Sequence, residues 1–264
     1  MKYFDSHAHY YDDRFAGEEC KEGVGNLLDT LFDSSVRAIV NVGTSPATCR
    51  LAAEQASRYP KMFTALGIHP TDGQGLDDPE AALDEVRRMI LDPRNKCHAV
   101  GEIGFDYHYP DTEKETQYLY FDRQMTMAEE LHLPVVIHDR DAHGDTMEMI
   151  RRHPGVTGVL HSFSGSAEMA KELVALGWYI SFSGTLTFTN ARKTKEAALV
   201  VPKDRILIET DCPYLAPHPL RGSLNHSGNL VYTNRVLSGL LGISEEDCAE
   251  LTEENAQRFF GITL

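Results

Sequence analysis

Two short stretches decide the fold: Ala99-Val100-Gly101-Glu102-Ile103 and Pro134-Val135-Val136-Ile137-His138. Each is an apolar run carrying one ionisable group at or near its end, the composition of a strand buried on both faces. Between them, residues 113–131 space apolar side chains three and four apart with charges in the gaps, as a surface helix does. Strand, helix and strand make a βαβ unit, which implies parallel pairing. The same grammar runs outward in both directions. Further strands are expected near Tyr3 and over 37–42, 62–67, 156–161, 178–182 and 206–209, giving eight in all. Amphipathic helices are expected over 80–91, 141–153 and 166–176, with 230–241 and 245–260 as closing helices. Eight β/α units predict an α/β fold of the single (β/α)8 TIM-barrel type; an open doubly wound sheet is the alternative.

No internal repeat, proline-rich linker or low-complexity block interrupts the 264 residues, so one domain over 1–264 is expected. The longest irregular stretch, 211–229, is rich in Pro, Gly, Asn and His, and a loop of that length in a compact domain is usually functional. Hydrophobic residues make up 42% and charged residues 25%, the balance of a packed globular protein rather than a disordered one. No run approaches the roughly 18 apolar residues of a membrane span, and the start lacks the features of a secretion signal. A cytoplasmic protein with no membrane association and no obligate protein partner is expected. Five scattered cysteines without a CxxC pair suggest reduced thiols, neither a disulfide framework nor a thiolate zinc site. The formal charge of -15 argues against a broad basic surface, so a polyanionic substrate would need bound cations or a few placed arginines.

Candidate chemistry lies where strands end. In Asp5-Ser6-His7-Ala8-His9 the histidines stand at i and i+2, so a continuing strand turns both rings to one face. Glu102 sits among apolar residues, where an unpaired carboxylate is costly, and the nearest basic residue is Lys96. A cation answers that cost, and one carboxylate can bridge two. His138 and His161 each close an apolar run, and Asp211 follows the strand 206–209, with Glu209 as its competitor. His7, His9, Glu102, His138, His161 and Asp211 are therefore the predicted metal ligands, all at the carboxyl ends of strands, where barrel enzymes carry their sites. Histidine and carboxylate donors without thiolate suit Zn²⁺, Mn²⁺ or a related divalent ion such as Mg²⁺, and six donors exceed one tetrahedral site, so two ions are expected.

The set AspxHisxHis, GlyIleHisPro at 67–70, GlyGluIleGly at 101–104, HisSerPheSerGly at 161–165 and GluThrAspCysProTyrLeuAlaPro at 209–217 resembles the TatD family of metal-dependent deoxyribonucleases, within the amidohydrolase-like barrels. The resemblance implies a dinuclear site, with His7, His9, Glu102 and Asp211 around one ion, Glu102, His138 and His161 around the other, and Glu102 bridging. It also implies DNA as the substrate. The chain departs from the family's usual pattern where Thr189 replaces a Lys, where Ser223 and Leu224 replace a basic pair, and where Asn225-His226-Ser227 replaces AsnGluPro. Those departures remove positive charge that would contact phosphates.

The expected reaction is hydrolysis of a phosphodiester, exonuclease-like on single-stranded DNA, by a hydroxide bridging two cations. Glu102 and Asp211 are the expected catalytic groups, Asp211 as proton acceptor; His69 and Arg221 are the expected substrate contacts. Asp106 is expected to orient a ligand histidine. Phe163 and Tyr214 could stack on a base, although aromatics beside such sites more often exclude water. Rival readings are hydrolysis of a small amide, ester or lactone, deacylation of aminoacyl-tRNA, and a metal-binding scaffold without catalysis. A strand-four Glu where amide-cleaving barrels often carry a bridging lysine favours the phosphodiester.

Overall fold

The computed structural model describes residues 1–264. In chain order its principal elements are β1 (Tyr3–Ala8), α1 (Gly23–Ser34), β2 (Val36–Gly43), α2 (Pro46–Ser57), β3 (Met62–Leu66), the single turn α3 (Pro70–Gly73), α4 (Pro79–Leu91), β4 (Cys97–Asp106), α5 (Lys114–Leu131), β5 (Val135–Arg140), α6 (His143–Arg152), β6 (Gly158–Leu160), α7 (Ala167–Ala175), β7 (Tyr179–Phe182), α8 (Arg192–Ala198), β8 (Ile206–Ile208), α9 (Leu230–Leu241) and α10 (Glu245–Phe260). The strands form one eight-stranded sheet in the order β1 to β8. Pairing is parallel, with Val135 of β5 between Val100 of β4 and Gly158 of β6. β8 also meets β1, through a parallel bridge between Ala8 and Cys212 and hydrogen bonds from Asp211 N to His7 O (2.9 Å) and from His9 N to Cys212 O (2.7 Å). The fold is a (β/α)8 TIM barrel, as its apolar strands and alternating helices predict.

Two compact units can be distinguished, one of residues 1–41 with 161–264 and one of residues 42–160. In the first, α10 packs on the strands through Phe260 against Phe4 (6.1 Å between ring centres) and Phe259 against Tyr179 (5.0 Å). In the second, α5 lies along β4, with Phe121 edge-on to Phe105 at 5.0 Å. Strand β4 approaches β5 closely because two glycines flank Glu102. A Cβ on Gly104 would stand 2.0 Å from the His138 carbonyl oxygen, and one on Gly101 would meet the Val136 backbone and side chain at 2.7–3.0 Å.

Helix starts carry their expected signals: Ser45 caps α2 ahead of Pro46, Asp78 caps α4 ahead of Pro79, and Ser166 and Ser244 cap α7 and α10. Strand β4 extends to Asp106, and β6 and β8 are shorter than their apolar runs, with His161 and Glu209 just past their ends. The irregular stretch 211–229 contains one short turn of 3-10 helix, Ser227–Asn229. No helix is long and apolar enough to cross a membrane.

Candidate metal centre

In the first unit, β1 delivers His7 and the residue after its end delivers His9, both buried. Their Nε2 atoms face each other at 3.0 Å, and Asp211 Oδ1 stands 3.3 Å from His9 Nε2 and 3.7 Å from His7 Nε2. One proton can serve only one of these contacts; a cation can serve all three, so the donor set fits a divalent ion. Asp211 occupies the left-handed region at φ 56°, which Asp tolerates, in a turn closed by Tyr214 N donating to Asp211 O at 2.9 Å. Burial alone would raise its carboxyl, but the hydrogen bond from His9 and the rings of His161 and His7 outweigh it and hold the group below its usual value. His161 stacks on His7 with ring centres 4.1 Å apart.

The far nitrogens of His161 and His9 are taken up by orienting groups. His161 Nδ1 lies 3.1 Å from Glu209 Oε1, which also accepts the Ser162 N–H at 2.7 Å. Glu209, the competitor of Asp211 by position, is thereby the acceptor that fixes His161, which leaves Nε2 as the candidate ligand atom. Tyr11 places its hydroxyl 3.1 Å from His9 Nδ1. Asp5, fully buried, accepts from Thr210 Oγ1 (2.6 Å), Thr210 N (2.9 Å) and Ser227 Oγ (2.6 Å), tying β1 to the segment after β8 and to the long loop. Burial pushes its carboxyl up to about 6 against those donors. Neither Asp5 nor Tyr11 was singled out from sequence. The signal for Asp5 was its i, i+2 relation to His7, the same that places Glu209 two residues before Asp211.

In the second unit, His138 of β5 sets Nδ1 2.8 Å from Glu102 Oε1 and Nε2 3.1 Å from Asp106 Oδ2. Asp106 also accepts the His108 N–H at 2.9 Å; these two bonds overcome the upward push of burial and keep its carboxyl below the usual value. If Nε2–H donates to Asp106, the Nδ1 lone pair faces a carboxylate oxygen, an arrangement that calls for a proton or a cation between them. Asp106 is therefore the orienting group expected of it, as the last residue of β4. His69, capping α3, accepts the Thr71 N–H on Nδ1 at 3.2 Å, so that Nε2 carries the hydrogen, 3.5 Å from Glu102 Oε1. His69, Glu102 and His138 form a second group whose ring nitrogens and carboxylate oxygen converge, with His69 a hydrogen donor in this tautomer.

The predicted residues thus gather in two groups, with Arg221 outside both. Its guanidinium lies over the Phe188 ring at 4.3 Å, and its side chain is exposed, as are Thr189 and Ser223. Phe163 is buried and its ring is not available for stacking on a base, whereas Tyr214 is 37% exposed.

A family model described as TatD related DNase matches residues 4–261. The chain belongs to that TatD-related family. It is 36% identical over 261 residues to the metal-dependent hydrolase YabD of Bacillus subtilis, covering 98% of this chain and 99% of that one. It is 34% identical over 260 residues to the metal-dependent hydrolase YcfH of Escherichia coli, covering 98% and 95%. The crystal structure of YJJV, a TatD homologue of Escherichia coli, superimposes with a TM-score of 0.90 at 27% identity, covering 99% of this chain and 98% of the other. Membership in this TatD group of metal-dependent hydrolases agrees with the donor groups described above.

Proposed function

We propose that this TatD-family chain is a divalent-metal-dependent phosphodiester hydrolase acting on DNA, single-stranded DNA in particular. His7, His9, Glu102 and Asp211 would hold one cation and Glu102, His138 and His161 a second, with Glu102 shared. The observation that carries the reading is the convergence of ligand atoms that one proton can serve only in pairs and a cation can serve together: His7 Nε2 against His9 Nε2 at 3.0 Å beside Asp211, and His138 Nδ1 against Glu102 Oε1 at 2.8 Å. Bound there, two divalent ions such as Zn²⁺, Mn²⁺ or Mg²⁺ would supply Lewis acidity to a phosphoryl centre and lower the pKa of the attacking water.

The chain's own groups do the rest. Glu209, Tyr11 and Asp106 hold the ligand imidazoles in the tautomer and orientation that present a lone pair. Asp211 accepts the proton of the attacking water; because its carboxyl is held low it is a weak base, and ligation is its larger contribution. His69 presents an Nε2–H that can donate to a phosphate oxygen, and exposed Arg221 can form a charge-assisted bond to another. The proposal takes residues 1–264 as one catalytic domain and, because all five cysteines are free, places it in a reducing cytoplasm.

Hydrolysis of single-stranded DNA, a small phosphodiester and a panel of amides and esters, in Mn²⁺, Mg²⁺ or Zn²⁺ with Glu102→Ala as control, tests it. DNA degradation lost in the variant supports the nuclease reading. Turnover of an amide or ester alone would favour the rival small-substrate hydrolase, which the acidic charge and the replaced basic positions at Thr189, Ser223 and Leu224 otherwise recommend.

A further inference from the structure

Arg14 follows β1 in a short 3-10 turn, Asp13–Ala16, and its side chain is exposed. Most arginines of this acid-rich chain lie against a carboxylate, as Arg37 does with Glu253, Arg87 with Glu130 and Arg235 with Glu245. Arg14 does not. Its guanidinium lies over the Tyr214 ring, 4.4 Å from the ring centre. Of the two carboxylates that precede it, Asp13 forms no ion pair with Arg14, and Asp12 is taken up by the Arg14 backbone N–H (2.8 Å) and by the Tyr214 hydroxyl (2.7 Å).

Tyr214 is a rigid support. Its hydroxyl is held by Asp12, its N–H by Asp211 O at 2.9 Å and its carbonyl by Asn225 Nδ2 at 2.7 Å, and its ring stands edge-on to His9 with centres 6.2 Å apart. A guanidinium lying over an aromatic face directs its N–H groups sideways, away from the ring, in the fork that matches two oxygens of a phosphate. It is weakly hydrated there and costs little entropy to use, because the ring already orders it. In a chain of net charge -15, a cation held this way one aromatic ring from a metal-ligand histidine has no acidic partner to serve.

We propose that Arg14, positioned by Tyr214, is a substrate-contact residue that binds a backbone phosphate beside the scissile one, and that it supplies part of the positive charge missing at Thr189, Ser223 and Leu224. The assignment rests on the phosphodiesterase reading for its substrate class, and the two can fail separately. The direct test is fluorescence anisotropy of a fluorescein-labelled oligothymidylate with the whole metal-free protein in EDTA, over a range of salt, comparing wild type, Arg14→Gln, Arg14→Lys, Tyr214→Leu and Arg88→Gln. Arg88 is an exposed arginine on α4 that controls for net charge.

Arg14→Gln is expected to weaken binding about tenfold and to reduce the slope of log affinity against log salt by about 0.7, the loss of one phosphate contact on a single strand. Arg14→Lys should restore part of the affinity and the whole slope. Tyr214→Leu should weaken binding while keeping the slope, because the charge stays but its orientation is lost. Equal affinity and slope in Arg14→Gln and wild type, or an equal loss in Arg88→Gln, would overturn the assignment. Hydrolysis of bis(p-nitrophenyl) phosphate by the metal-loaded wild type tests the underlying chemistry alone: without it, oligonucleotide binding that still depends on Arg14 would keep the phosphate contact and remove the nuclease reading.

Discussion

The two donor groups are built differently. Around His7, His9 and Asp211 the supporting groups are separate from the ligand atoms: Tyr11 sits on His9, and Asp5 ties the backbone together from beneath. Around Glu102 and His138 the closest contact between ligand atoms is imidazole to carboxylate at 2.8 Å, where that of the first group is imidazole to imidazole at 3.0 Å, and the charge-assisted contact is the stronger competitor with an entering cation. If both groups bind cations as proposed, the second would give up the stronger contact on loading, so that a dinuclear centre would fill in two steps of unequal affinity. Burial of the carboxyl at Asp211, offset by three imidazoles, gives the first group an ionised ligand in advance.

The largest effect expected is from Glu102→Ala, which removes the ligand the proposed ions share: hydrolysis should fall on the order of 10³-fold or more, and isothermal titration should find one class of metal site instead of two. Two sites of unchanged affinity would break the comparison at its root. Gly104→Ala comes next, because its Cβ would be driven into the His138 carbonyl oxygen. Thermal unfolding should show a loss of about 3 kcal/mol, with weakened metal binding confined to the looser class.

Tyr11→Phe and Asp106→Asn sharpen the contrast between the groups, the first through His9 and the second through His138. Each should weaken the metal affinity of its own group by roughly 10-fold and leave the other unchanged, and the tighter class should respond to Tyr11→Phe. A loss spread evenly over both classes in either variant would mean that the groups do not act separately.

The smallest effect concerns stability. Burial pushes the thiols of Cys49 in α2 and Cys248 in α10 up to about 12. A thiol raised in the folded state favours folding at pH values below its unfolded pKa of about 8.5, and that contribution is lost as pH rises toward 12. At pH 8 each should react with a maleimide only after opening. Mass-spectrometric labelling in mild denaturant should give one common rate for both if the barrel opens as a single domain, and unequal rates if the two compact units open separately.

Much of this was legible in the chain because a charge at the end of an apolar run is costly unless it has work to do: Glu102, His138, His161 and Asp211 announce themselves that way. The helices missed by periodicity have plain reasons. α2 buries Cys49, Ala52, Ala53 and Ala56, side chains too small to mark an apolar stripe, and only its Ser45-Pro46 start identifies it. α8 is seven residues long. The supporting acceptors were harder. Asp5 meets Thr210 and Ser227 across most of the chain's length, so its partners follow from the closed fold and not from spacing. Ser227, a departure from the family pattern, has its own task in donating to Asp5 at 2.6 Å and meeting the Tyr10 hydroxyl at 2.7 Å.

The span of those Asp5 contacts governs the order of assembly during synthesis. Thr210 follows Asp5 by 205 positions and Ser227 by 222. His7 and His9 leave the ribosome early, but the group that anchors their strand is translated near the end. A nascent chain therefore carries its first two imidazoles without a finished cage, and on the proposed ligation firm capture of a cation would wait until the loop bearing Ser227 has emerged. A chain released before that point would lack a preformed site, which couples possession of the metal to completion of the fold.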